Sequence, residues 1–319
     1  GGSRNPKDLP RPQQVSRKVS WLLRHGANQE GLTLGKGGYV NVNDALNTRA
    51  LKSLKVTFAE LRDVVRENDK KRFSMVLAST SEGKEGKEGE EGDEVLVSPS
   101  NEQSESEVFD AVPASEEPGD YLIRANQGHS IKVDTEGLLT PITIEAGNVP
   151  ETVVHGTDEP SWRLILKSGG LRRMGRNHVH FAAGLPAGFK TLASTTASAE
   201  EKEAQPVISG MRKSSTVLIF VDTAKALEAG IKFFVSENGV ILTEGNEKGF
   251  LPYEFFKRVE RRTRGGGVVM EGGVLPEGVV VDVEEWEREV GGGKKGRGGR
   301  GGRGGRGGGK TRVVDDSRD

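Results

Sequence analysis

Apolar residues in the first part of the chain recur at helical spacing. Val15, Val19, Leu22 and Leu23 share one helical face, and Gly26 stands where a left-handed cap would end that helix, which puts Arg24 and His25 on its last turn. Thr57-Phe58-Ala59-Glu60 has the form of a capping box, Val56 and Leu61 are spaced as its hydrophobic staple, and Leu61, Val64 and Val65 continue the apolar face. Between these, Asn43-Asp44-Ala45-Leu46 can open a short helix. Arg72 to Leu77 alternates instead, with Phe73, Met75 and Leu77 on one side, the period of a strand. Three short helices and a strand predict a small unit of winged-helix type over 11–78, after a flexible start at 1–10.

Beyond residue 120 the period shortens. Tyr121-Leu122-Ile123, Ile131-Lys132-Val133, Thr152-Val153-Val154, His178 to Phe181, Val217 to Val221 and Gly239 to Leu242 read as short strands punctuated by Gly or Pro. Trp162 to Lys167 and Thr223 to Ala229 are helical in character. The expected second unit is a strand-rich α+β domain over 120–262, followed by an extension at 263–290.

Composition limits how much of the chain can be core. With 45 Gly among 319 residues and 5% aromatics, about two thirds of the chain is expected to fold. The formal net charge of −1 hides segregation: residues 81–119 hold thirteen Asp and Glu against two Lys, leaving a balance of about +10 elsewhere, the sign of a surface that meets phosphates. The stretch 79–119 is expected to be a disordered acidic insert and 187–206, rich in Ala, Thr, Ser and Glu, a loop insertion. Residues 291–310 are all Gly, Lys or Arg, with Arg297, Arg300, Arg303 and Arg306 spaced by three. This tail, 291–319, is either a passive solvated end or a sequence-tolerant RNA contact. The absence of Cys excludes disulfides, thiolate metal sites and cysteine nucleophiles. No apolar run approaches the roughly 18 to 20 residues that span a bilayer, and no basic-then-apolar pattern opens the sequence. A soluble intracellular monomer is expected, its compartment, nucleus or cytoplasm, left open.

The five histidines all stand in dense polar clusters: Arg24-His25-Gly26, Gly128-His129-Ser130, His155-Gly156-Thr157 and His178-Val179-His180. Arginine accompanies them at Arg24, Arg124, Arg172, Arg173 and Arg176. A guanidinium is always charged and grips phosphate oxygens through a fork of donors, so this company points to a phosphorylated substrate.

Leu23-Arg24-His25-Gly26, the run Ile123 to Ser130, His155-Gly156-Thr157, Gly170-Leu171 with Met174, Arg176 to Phe181 and Ser236 to Leu242 together resemble the NAD-dependent RNA 2′-phosphotransferases. The likeness covers both expected domains, and the insert, the loop and the tail interrupt none of its motifs. It implies a winged-helix lobe joined to an ADP-ribosyltransferase lobe, with the active site in the cleft between them. The implied reaction removes the 2′-phosphate left at a tRNA splice junction. That phosphate attacks the nicotinamide-bearing ribose carbon of NAD, and the neighbouring ribose hydroxyl then attacks phosphorus. The products are nicotinamide, RNA with a 2′-hydroxyl, and ADP-ribose 1″,2″-cyclic phosphate. The resemblance places the catalytic Arg-His-Arg-Arg set on Arg24, His25, Arg124 and Arg176. It places NAD contacts on His155, Gly156, Thr157 and His178, and Gly169, Gly170, Leu171 and Arg212 are added as flanking candidates. Gly156 is expected to let the cofactor ribose approach the backbone, and either His178 or His180 to be structural.

Other readings fit less of the pattern. A histidine phosphatase also carries Arg-His-Gly, but after a strand and with a later His before an acid, and none of the five His here precedes an acidic residue. A metal held by His178 and His180 would sit among arginines that repel it, so no metal is expected. A non-catalytic RNA-binding protein leaves the His clusters without a use. A mono-ADP-ribosyltransferase acting on nucleic-acid phosphates would use the same NAD pocket and is told apart by whether ADP-ribose stays on the acceptor.

Overall fold

The computed structural model describes residues 8–78, 115–186, 189 and 210–292. Most of the expected insert, nearly all of the expected 187–206 loop and the tail from 293 lie outside the described residues. The chain divides into two units, one ending at Leu138 and the other beginning at Leu139.

In the first unit, helix α1 (Arg11–Trp21) runs into a π-helical turn, Leu22–Gly26. Val15, Val19, Leu22 and Leu23 are all buried, as their spacing predicts. Gly26 is not a left-handed cap: the backbone continues right-handed through Ala27 at φ −53°, and the left-handed residue is Gly31 at φ 77°. Gly26 is small for another reason, since a Cβ there would lie 2.4 Å from the indole of Trp21. Helices α2 (Val42–Leu46), α3 (Arg49–Lys52) and α4 (Phe58–Arg66) start on Asn41, Thr48 and Thr57, whose side chains each accept a first-turn N–H. At α4 the box is reciprocal, because the Glu60 carboxylate accepts the Thr57 N–H and also two bonds from Arg11, at 2.6 and 2.9 Å.

Strands β1 (Val40–Asn41), β2 (Phe73–Leu77) and β3 (Tyr121–Ala125) form one antiparallel sheet with β3 in the middle. Ile123 pairs with Val40 on one side and Met75 on the other, and its side chain joins Leu22, Leu51, Leu61 and Phe73 in the core. The strand expected to open the second domain therefore closes the first, and the boundary falls at 138/139 rather than 119/120. Ile131 to Val133 is not a strand; the Ile131 N–H is spent on the carbonyl of Arg24 at 3.4 Å.

The second unit has two four-stranded antiparallel sheets and a two-stranded one. Strands β4 (Leu139–Ile142), β9 (Phe233–Ser236), β10 (Ile241–Thr243) and β7 (Val179–Phe181) lie in that order. The other large sheet is ordered β13 (Val268–Glu271), β12 (Phe256–Arg261), β8 (Val217–Val221) and β5 (Val154–Thr157). Strands β6 (Gly170–Arg172) and β11 (Phe250–Pro252) pair alone. Both large sheets feed one core, where Phe181, Phe233 and Ile241 join Ile219, Phe256 and Val259, with Trp162 of helix α5 (Glu159–Ser168) against them. Helix α6 (Thr223–Glu228) follows β8, the strand whose five apolar residues are all buried.

The extension expected at 263–290 belongs to this unit. It supplies β13 and helix α7 (Val283–Gly292), which docks through Trp286. The Arg172 guanidinium lies between the rings of Phe250 and Trp286, 4.5 Å from each, and Lys167 of α5 reaches Glu285 at 3.3 Å. Arg172 thus fastens α7 down. The molecule is α+β, and among the described residues no helix is long and apolar enough to cross a membrane.

Candidate active site

In the first unit, Arg24 and His25 sit on the π-helical turn at 3% and 4% exposure. A π turn takes an extra residue per turn and so re-aims the side chains it carries, a device common at functional sites. The loop after β3 is tied to that turn: Ser130 donates its N–H to the Arg24 carbonyl at 3.0 Å, and its hydroxyl meets His25 Nδ1 at 2.7 Å. Gly128, at φ 88°, lies under the Arg24 guanidinium, so a Cβ there would sit 3.4 Å from Nε. The left-handed backbone is what favours glycine at Gly128.

Arg124 is held from three sides. Its Nε donates to Asn126 Oδ1 at 3.2 Å, its Nη1 donates to the Gly137 carbonyl at 2.8 Å, and its face lies 4.6 Å over the ring of Tyr39. Asn126 is itself fixed, accepting from Ser74 Oγ and donating to the Lys71 carbonyl, each at 2.8 Å. Arg124 also lines one end of a groove of about 530 Å³ shared with Lys36, Tyr39, Asn41, Asp44 and Leu122. Arg24 and Arg124 are each 3% exposed, a burial that is costly for a guanidinium.

In the second unit, His155 on β5 donates Nδ1–H to the carbonyl of His180 at 2.8 Å. That bond selects the tautomer with Nε2 as an acceptor. Burial pushes the His155 pKa below the ordinary imidazole value, and the charge of Arg212 pushes the same way. Arg212 also helps lower Asp158, the N-cap of α5, after the hydrogen bonds from Ser161. The charge of Arg212 thus reaches both His155 and Asp158.

Gly156 has no room for a side chain. A Cβ there would lie 2.4 Å from Met211 Cγ and 2.5 Å from Ser215 Oγ, so the protein's own side chains fill the space a side chain would need. The Thr157 carbonyl accepts the Thr216 N–H at 2.9 Å. Gly169 is the left-handed cap of α5 at φ 87°, Gly170 lies 2.1 Å, measured from an added Cβ, from the Leu251 carbonyl, and Leu171 is buried in the core. Capping, strand pairing and packing account for these three.

Arg176 ends a turn in which its N–H bonds to the carbonyl of Arg173 at 3.1 Å. His178 stands just before β7, edge-on to Phe234 at 6.3 Å, with Nε2 3.9 Å from Glu244. Burial pushes its pKa down, Glu244 opposes this, and Arg173 reinforces it. Of the His178 and His180 pair, His180 is the one whose backbone orients His155. No role for Ser130, Asn126 or Tyr39 is expected from the sequence; the first two lie in the run that contains Arg124, whereas nothing local marks Tyr39.

Buried arginines and imidazoles around a glycine-bearing loop in one unit, and a histidine held in one tautomer in the other, are the candidate contacts for phosphate and nucleotide groups. Residues 10–245 match the family described as RNA 2'-phosphotransferase, Tpt1 / KptA family, and the chain belongs to that family. It is 33% identical over 260 residues to tRNA 2'-phosphotransferase 1 of Danio rerio, covering 82% of this chain and 90% of that one. It is 34% identical over 252 residues to tRNA 2'-phosphotransferase 1 of Mus musculus, covering 79% and 78%. The similarity to tRNA 2'-phosphotransferase of Saccharomyces cerevisiae is 32% over 252 residues, covering 78% and 84%.

Proposed function

We propose that this protein removes the splice-junction 2′-phosphate from tRNA by transferring it to ADP-ribose drawn from NAD. Membership of the family and the relatives' names support the reaction, and the buried Arg24, His25 and Arg124 set is the observation that carries it. In this reading the helices and small sheet of the first unit are a winged-helix-like lobe, and the two antiparallel sheets of the second an ADP-ribosyltransferase-like lobe.

The residues suit NAD as second substrate, which supplies the ribosyl group that accepts the phosphate. His155, with Nε2 left as an acceptor, can take a ribose hydroxyl, Arg212 can face the pyrophosphate, and His178 packed on Phe234 can border the nicotinamide. Arg24, Arg124 and Arg176 are assigned to the transferred phosphate. Negative charge grows on that phosphate when phosphorus is attacked, and guanidiniums already fixed in place stabilise it without reorganising. The Ser130 hydroxyl orients His25, which is assigned to protonate the departing 2′-oxygen or to bind the phosphate.

The test is a short RNA with one internal 2′-phosphate, incubated with and without NAD. The expected result is NAD-dependent loss of the phosphate, release of nicotinamide and no free inorganic phosphate. Inorganic phosphate appearing at the same rate without NAD would make the protein a phosphatase.

A further inference from the structure

Met174 stands in a conformation that methionine rarely adopts. Its φ is 53°, left-handed, in the turn from Arg173 to Arg176 closed by the 3.1 Å bond between the Arg176 N–H and the Arg173 carbonyl. Gly175, which would tolerate that conformation without strain, occupies the next position instead. The Met174 side chain is also 64% exposed, so packing does not compensate the strain. An apolar side chain held in an unfavourable backbone conformation and pointed at water is the arrangement expected of a ligand contact, because strain persists where function requires it. The neighbours fix the ligand's chemistry. Arg173 is exposed, Arg176 closes the same turn, and the charge of Arg173 is felt at His178 two residues beyond the turn. Cations for phosphate and a polarisable thioether on one short turn match a nucleotide, the thioether favouring the ring.

We infer that Met174 is a platform for the base of the RNA nucleotide that carries the 2′-phosphate. The inference rests on the assignment of Arg176 to that phosphate. The base lies against the thioether while the phosphate of the same nucleotide reaches Arg176, so Met174 holds the reacting nucleotide in register without touching the bonds that change. Being a ring contact, it tolerates any base.

Three variants and two substrates test this. Met174→Gly relieves the left-handed strain and removes the platform, so it should raise Tm by about 2 °C or more while raising KM for 2′-phosphorylated RNA roughly five- to tenfold, with KM for NAD unchanged. Met174→Leu, which keeps the apolar bulk, should recover most of the affinity. On an RNA lacking the base at the phosphorylated nucleotide, wild type should lose affinity by a similar factor and Met174→Gly should lose no more, because the two changes remove the same interaction. An unchanged KM for RNA in Met174→Gly, a rise in KM for NAD alone, or independent losses on the baseless substrate would each overturn the inference. Arg176→Ala serves as the separate check. If it turns over 2′-phosphorylated RNA normally, the assignment of Arg176 fails; if it is impaired while Met174→Gly is not, only the platform fails.

Discussion

At the scale of single residues, the first unit concentrates its cost in two buried guanidiniums. The Arg124 side chain is held by the Gly137 carbonyl and the Tyr39 face, and the backbone of Arg24 by the chain tied around its carbonyl. Such groups should matter most where charge on the phosphate is greatest. Replacing Arg24, His25 or Arg124 by Ala is expected to slow release of the cyclic phosphate by about 10²-fold or more, on the order of 3 kcal/mol of transition-state stabilisation, while nicotinamide release slows far less. Following both products in a single turnover checks this; equal slowing of both would assign these residues to the first step. The sequence made these side chains legible because chemistry leaves a compositional mark: Arg and His clustered in a chain with only five His. Tyr39 left none, since its role exists only once β1 and β3 bring the preceding loop under Arg124.

At the scale of elements, glycines separate folding from function. Gly156 and Gly170 stood among candidate cofactor contacts, yet each is where a neighbouring part of the fold comes too close for a side chain, Met211 and Ser215 against the first and the Leu251 carbonyl against the second. Gly170→Ala should therefore destabilise the second unit by about 1–3 kcal/mol through forced separation of β6 and β11. KM for NAD in the folded fraction should stay unchanged, and Gly119→Ala, with open space around it, should behave as wild type in both assays. Thermal unfolding together with NAD titration of activity decides the matter; a raised KM at unchanged stability would return Gly170 to the cofactor site. The longer elements were legible from the sequence. The capping box at Thr57 and the apolar run at Val217 to Val221 are signals contained in a few adjacent residues. Strands of three residues such as β6 and β11 hold too few alternations to show a period, and the pairing that defines them comes from distant chain. The left-handed cap placed on Gly26 misled for the same reason: a glycine needed for space under Trp21 reads, in sequence, like one needed for its φ.

At the scale of the whole molecule, the charge distribution bears on how a full-length tRNA is held. The arginines at Arg297, Arg300, Arg303 and Arg306 all follow the end of α7, so deleting 293–319 removes them and leaves the helix that Arg172 anchors. If they bind RNA backbone, the deletion should weaken tRNA binding and flatten its dependence on salt, by about 0.9 in the logarithmic slope for each phosphate the tail had neutralised. Turnover of a very short 2′-phosphorylated oligonucleotide should be unaffected. Affinities measured at two salt concentrations give the slope, and identical slopes would reduce the tail to a passive end.

The central position of β3 has a consequence for how the phosphate-handling unit comes into being. Its two flanking strands and helices α1 to α4 precede residue 79, but the strand between them, which carries Arg124, begins only at Tyr121. A chain emerging from the ribosome therefore cannot complete this sheet until more than forty residues beyond β2 have been made. Arg24 is synthesised long before its partner loop can close on it. A single proteolytic cut in the intervening segment would leave one fragment with the helices and two strands and another with the missing strand and the entire second unit. In effect this is a split protein already encoded in one chain, whose halves carry Arg24 on one side and Arg124 on the other, and whose reunion through the two ladders of β3 would be the event that restores the site.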